Sequence, residues 1–287
     1  MTNAQRELIE ALEQDQSLAE PHRLRQRVEA LDRLEACFPD EPDADASALA
    51  RRARAIRTRL EAVNHGLCQV IRREIRLGAG RSALLPWRPV SDQGGHTPGP
   101  ANGEGYDYLD ELVAGVLQFE PSDEAVAELA AEMVFYQPTP ARHAFDLIER
   151  LALERQDVLI DLGSGLGHVP LLAAICTDAR CIGIELEVVY VEGARRSAEA
   201  LNLANVTFIR QDARAADLSS GTVFYLYTPF TGTVLRTVLD ALQQEAANRE
   251  IRICSYGPCT STLAGERWLQ SAQSPENDRI AIFHSRR

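Results

Sequence analysis

Three acids stand where they can receive a cationic ligand. Asp161 closes the apolar run Asp157-Val-Leu-Ile-Asp161, and Gly163, Gly165 and Gly167 follow it at once. Glu185 ends the run Arg180-Cys-Ile-Gly-Ile-Glu185, and Asp212 ends Val206-Thr-Phe-Ile-Arg-Gln-Asp212. Glycines after a buried strand let the backbone turn tightly and come close to a ligand, and a helix N-terminus beyond them offers free N–H groups. A carboxylate two residues before the first glycine repels a diphosphate and suits an ammonium group. The spacing is Gly-x-Gly-x-Gly, with His168 where the third glycine of a dinucleotide fingerprint would stand. These features suit a positively charged nucleoside such as S-adenosylmethionine. Asp161 is expected at its ammonium, Glu185 at the ribose hydroxyls and Asp212 at the adenine amino group.

As an ordered set, Asp161-x-Gly163-x-Gly165-x-Gly167, Gly183-Ile-Glu185 and Gln211-Asp212 resemble the class I S-adenosylmethionine-dependent methyltransferases over roughly residues 135–287. The segment Tyr136-Gln-Pro-Thr139-Pro140 and the run Asp161-Leu-Gly-Ser-Gly-Leu-Gly167 are similar to bacterial-type members of the disruptor-of-telomeric-silencing-like (histone-lysine methylation type) group. That resemblance implies a loop closing over the methionine end of the cofactor, with Tyr136 and Thr139 among the cofactor-binding residues. Read locally, the same residues start a helix, with Thr139 as N-cap and Pro140 at its first position. The chain departs from the group at Gln137-Pro138, where Gly-Glu is usual, and at Tyr225-Leu-Tyr-Thr-Pro-Phe230. There Tyr227 and Thr228 replace the side-chain acceptor that amino-group methyltransferases use, so histone-lysine specificity does not carry over.

The reaction implied is methyl transfer to an unidentified protein or small-molecule acceptor, an amine among them. Tyr227 and Thr228 are the candidates at the reacting centre, joined by Tyr136 and the segment Ser255-Tyr-Gly-Pro258. His143 and His168 are candidate bases, although a lone histidine in a helix is more often structural. Two other readings stay open: an NAD-dependent oxidoreductase on a related sheet, and a non-catalytic cofactor-binding or assembly protein using its N-terminal helices.

The elements that must carry these residues alternate between helices and apolar runs from about residue 106 onward, which predicts a doubly wound, Rossmann-like α/β sheet. Strands are expected within the runs 157–163, 180–185, 206–212, 222–230 and 251–257, closed by one or two more, the second antiparallel at the edge. Helices are expected over 107–118, 122–133 and 141–153. Residues 1–77 read as helical, and 78–105 as a Pro/Gly-rich linker or lid anchored by Leu84, Leu85 and Trp87; the methyltransferase domain would be 106–287. Within 49–70 the apolar positions Leu49, Ala53, Ile56, Leu60, Val63, Leu67 and Val70 form one seam. Asp45 or Ser47 can cap its helix and Gly78 and Gly80 end it, while Pro39-Asp-Glu-Pro42 separates it from an earlier helix carrying Leu24, Val28, Leu31 and Phe38. The pair looks antiparallel or coiled-coil-like, which leaves room for a homodimer.

Composition bounds the rest. The 287 residues are 45% hydrophobic and 25% charged, enough for a full core without metal or disulfide staples. No apolar run is long enough to span a membrane and no secretory signal is visible, so a cytoplasmic location is expected. All thirty basic residues are Arg, which excludes lysine chemistry, and the net charge of −12 makes nucleic acid an unexpected partner despite eight Arg within 51–76. The six cysteines are expected as free thiols, with no metal site.

Overall fold

A computed structural model describes residues 3–39, 47–88, 105–119 and 132–286. Contacts divide the chain into two units: residues 1–73 with 96–116, and residues 74–95 with 117–287. The expected helix 122–133 lies largely outside the described residues, as do Asp45, most of the Pro39–Pro42 separator and the linker residues 89–104.

The first unit is helical. Helix α1 (Asn3–Gln14) supplies Leu8, Ile9 and Leu12, α2 (Leu24–Cys37) supplies Ala30 and Leu34, and α3 (Ala48–Arg76) supplies Ala53, Ile56 and Leu60 to one core. Ser47 caps α3 by accepting from the Ala50 N–H at 3.2 Å, and Gly78 at φ +81° ends it. The heptad-like seam does not hold along this helix. A straight α-helix repeats every 3.6 residues, so a 3.5-residue stripe drifts off the buried face. Past Leu60 the buried line passes to Cys68, Ile71 and Ile75, and Val70 is left 52% exposed. Arg27 takes the place of an apolar residue on α2. It is fully buried, and its guanidinium donates to the carbonyls of Leu18, Glu20 and Pro21 and to Asn64 Oδ1. Much of the Arg-rich segment is likewise spent on structure: Arg52 pairs with Glu13, and Arg57, Arg59 and Arg72 donate to the carbonyls of Phe38, Leu12 and Val116.

Beyond α3 come α4 (Gly80–Leu84), which buries Leu84, and α5 (Tyr108–Leu117). The second unit is built on a seven-stranded sheet in the order β3-β2-β1-β4-β5-β7-β6. Its strands are β1 (Val158–Leu162), β2 (Arg180–Glu185), β3 (Val206–Arg210), β4 (Val223–Leu226), β5 (Arg252–Ser255), β6 (Leu269–Gln270) and β7 (Ala281–Ser285). The first five pair in parallel, and β7 runs antiparallel to both β5 and β6. The antiparallel strand is therefore interior, and the two-residue β6 forms the edge instead. Continuous apolar runs make these strands because helices cover the sheet. Helix α6 (Ala141–Leu151) and α4 pack on α7 (His168–Cys176), which in turn lies on β1, β2 and β3. Helix α8 (Val188–Ala200) packs on β2 and β3. Helix α9 (Gly232–Asn248) buries Leu235, Val238, Leu239 and Leu242 into a core shared with Ile160, Phe224 and Ile253, and α10 (Cys259–Ala264) adds Leu263.

Candidate functional site

The order of the sheet reverses between β1 and β4, and in such sheets ligands settle in the crevice beyond the carboxyl ends of the strands. A cavity of about 1230 Å³ opens there. Its walls include Asp161 from β1, Glu185 from β2, Asp212 after β3, Tyr227 and Thr228 after β4, and Tyr136 and Thr139 from the segment before α6. Gly163 lines it too, whereas Gly165 and Gly167 do not. Gly165, at φ +52°, lies under Tyr136, so close that a Cβ there would fall within the ring. Gly167 precedes α7 and is pressed against Phe208 and Ala194, a helix–sheet contact.

Asp161 is 4% exposed, and no hydrogen-bond donor among the described residues reaches its carboxylate. Burial raises its pKa well above the usual carboxylate range, and the negative charge of Glu185 adds to the shift. On the same cavity wall, the buried Ser164 hydroxyl is also without a partner among the described residues. Glu185 is engaged differently. Its Oε1 accepts from the N–H groups of Leu186 (2.7 Å) and Glu187 (2.8 Å), and Oε2 from that of Gly165 (2.9 Å). Each carboxylate oxygen has two lone pairs, so one acceptor direction, on Oε2, is left. The residue thus ties the glycine turn to the end of β2. Asp212 accepts from the Arg214 N–H at 2.9 Å and from its guanidinium at 2.6 Å, which holds the acid below its ordinary pKa.

The segment before α6 forms a wall fastened at several points. Glu132 accepts from Thr233 Oγ1 (2.7 Å) and the Val234 N–H (3.1 Å) at the start of α9, and Met133 bridges Phe230. Tyr136 hydrogen-bonds His168 Nδ1 at 3.1 Å, and its ring packs 4.8 Å from that of Tyr190. The Thr139 hydroxyl is not a helix cap, as expected from sequence; it meets the buried Tyr225 hydroxyl at 2.8 Å, and α6 begins at Ala141 after Pro140. The Tyr225 ring sits next to Asp161 in the sheet core, so the hydroxyl there needs a partner more than the helix end does.

Tyr227 and Thr228 have different roles in the structure. The Tyr227 hydroxyl donates to Gln137 Oε1 at 3.3 Å, and its ring packs 4.7 Å from Tyr256. Thr228 is buried at φ +42°, a strained conformation for a β-branched residue. Its hydroxyl donates to the Tyr256 carbonyl and accepts from the Cys259 N–H, each at 3.1 Å. That hydroxyl holds the loop against α10. His143 packs on Tyr256 and does not line the cavity. Burial lowers the pKa of both His143 and His168 to about 4, so neither is a base of useful strength near neutrality. Ser164, Arg214, Tyr190 and Glu132 are wall residues that the sequence reading did not single out. Arg214 had a signal, a cation two residues after a proposed ligand acid; Glu132 had none, since its partners lie about a hundred residues away.

All six cysteines are free, and the described residues contain no cluster suited to a metal. No described helix is long and apolar enough to cross a membrane.

Residues 153–228 match the family model of a methyltransferase domain. No curated protein matches the sequence. Among solved structures, an RNA methyltransferase from Salinibacter ruber with S-adenosyl-L-homocysteine is similar at 26% identity, over 52% of this chain and 92% of that one, with a TM-score of 0.42. A precorrin-6y C5,15-methyltransferase from Geobacter metallireducens shares 16% identity over 56% and 93%, at 0.40. A Pyrococcus abyssi tRNA (uracil-54, C5)-methyltransferase with S-adenosyl-L-homocysteine shares 16% over 52% and 39%, at 0.39. The names of two of these include RNA, and they lend no support to the charge-based expectation against nucleic acid. The mixed seven-stranded sheet with its flanking helices is a Rossmann-like arrangement, and the stretch from before β1 through β4 is the part that matches the methyltransferase domain model.

Proposed function

We propose that the cavity holds S-adenosylmethionine with its ammonium at Asp161, its ribose at Glu185 and its adenine at Asp212, and that an acceptor enters beside Tyr227. The observation that carries this is the buried Asp161, whose carboxylate has no donor among the described residues, with the Ser164 hydroxyl on the same cavity wall also unpartnered among them. A carboxylate so placed calls for a cation, and a diphosphate would worsen its environment. An antiparallel β7 between β5 and β6 also departs from the 3-2-1-4-5-6 dinucleotide order. Glu185 offers one lone pair to a ribose hydroxyl, and Asp212 reaches the adenine amino group if Arg214 shares it.

When bound, the cofactor supplies an electrophilic methyl carbon on a sulfonium. The protein's part is alignment and exclusion of water, since the leaving thioether is neutral. Tyr227 and Gln137 would hold the acceptor on the open side of the cavity, and an amine acceptor would have to enter as the neutral form, its proton already left in solvent. Tyr136, Gln137, Tyr227 and Pro258 line the side left for that acceptor, and none carries a charge. Five acids and one arginine line the whole cavity, which favours a neutral or cationic acceptor, such as an amine on a protein or small molecule, over an anionic one. The closer likeness to the disruptor-of-telomeric-silencing-like group is supported by Tyr136 and Thr139 standing on the cavity wall.

Calorimetry with S-adenosylhomocysteine and NAD tests the cofactor assignment: binding of the first and indifference to the second is expected, and the reverse refutes it. Labelled methyl transfer into fractionated extract then identifies the acceptor, and label found only in RNA would refute the amine reading.

A further inference from the structure

We infer that His168 is a positioning residue, holding the Tyr136 ring against the glycine turn so that the ring forms a fixed wall of the cofactor site. This rests on the cofactor placement proposed above. His168 stands where a dinucleotide fingerprint has its third glycine, whose usual service is close helix–strand packing. In this chain Gly167 provides that packing, one residue earlier, against Phe208 and Ala194. The side chain at 168 is released for another use. It opens α7, packs its ring 4.7 Å from Phe119, and presents Nδ1 to the Tyr136 hydroxyl at 3.1 Å.

Tyr136 is gripped by more than that bond. Its ring rests on Gly165, where no side chain could be accommodated, and packs at 4.8 Å on Tyr190 from α8. The second glycine of the fingerprint ordinarily lets a diphosphate approach the backbone; here an aromatic ring occupies that approach. A loop residue so far from α7 in sequence needs a partner to stay there, because an ordered aromatic side chain otherwise regains its rotamer freedom. Burial keeps His168 neutral at physiological pH, so with the ring proton on Nε2 its Nδ1 accepts from the tyrosine hydroxyl. Two departures from the dinucleotide pattern, the upstream tyrosine and the histidine in place of glycine, are then halves of one device.

A double-mutant cycle with S-adenosylhomocysteine as the probe tests this on the full chain. Tyr136→Phe and His168→Phe are each expected to weaken binding about tenfold, and the double variant no further, because both remove the same bond. His168→Asn, which keeps an acceptor, is expected to bind within about threefold of the unaltered protein, a rescue that a purely steric role for the histidine would not give. Melting of each ligand-free variant checks its fold; should His168→Phe fail to fold, Tyr136→Phe and His168→Asn decide alone. Losses that add, single losses under about twofold, or failure of His168→Asn to rescue would overturn the inference while the cofactor placement stands. No uptake of the probe by the unaltered chain would refute that placement and this inference with it.

Discussion

Replacing Asp161 by asparagine probes the feature on which the cofactor placement turns. Asp161 is 4% exposed, its carboxylate receives no hydrogen bond from the described residues and it lines the cavity, and burial with the nearby Glu185 charge raises its pKa. Asparagine keeps the shape and one acceptor oxygen but removes the charge that an incoming ammonium would meet. A hydrogen bond to a charged group contributes about 1.5–3 kcal/mol, so S-adenosylhomocysteine should bind roughly 10- to 150-fold more weakly to Asp161→Asn. The ligand-free protein should respond in the opposite sense. A carboxyl whose folded pKa lies above its unfolded value adds stability at low pH and loses it as pH rises from 3.8 through the folded pKa. The asparagine side chain does not titrate, so the variant's stability should fall less over that window, and at neutral pH it should be no less stable than the parent. Binding of a cation should also pull the Asp161 pKa down and release a proton to the buffer. Titration calorimetry in two buffers of different ionisation enthalpy reads both the affinity and that proton. Affinity within about twofold of the parent, with no difference in proton release, would refute the reasoning.

Three further outcomes follow from the packing. Gly165→Ala should cost about 1–2 kcal/mol in stability for its positive φ alone and weaken S-adenosylhomocysteine binding about tenfold by displacing Tyr136; urea melts and calorimetry check this, and an unchanged affinity counts against the wall. Arg27→Ala should destabilise the first unit by about 3 kcal/mol, because three carbonyls and Asn64 lose their buried donor; faster amide exchange across 16–37 would report it, and unchanged protection would contradict it. His143 and His168 are held neutral by burial, so the stability they contribute is present above pH 6.5 and is lost as pH falls from there toward about 4. Changing both to Gln should flatten the stability profile between pH 4 and 6.5, and an unaltered slope would show that other groups set it.

The doubly wound sheet and the acids at its rim were legible in the sequence. Strands covered on both faces must be apolar along their whole length, and a strand's end and the turn after it are local features, so Asp161, Glu185 and the glycine turn could be placed without knowing what surrounds them. The buried line of α3 was legible only as far as Leu60, because a repeat of 3.5 and one of 3.6 residues differ too little over two turns to be told apart. Partnership was decided by tertiary structure alone. Thr139 turned from capping α6 to meeting Tyr225, the Thr228 hydroxyl was committed to Tyr256 and Cys259, and Asp212 was clasped by Arg214. Tyr136 came to lie on Gly165 across some thirty residues of chain, and Glu132 to fasten the start of α9 across a hundred. Periodicity and turn chemistry specify which way a residue faces along its own element; which donor fills a given acceptor depends on distances set only when helices close over the sheet, and no local pattern carries those.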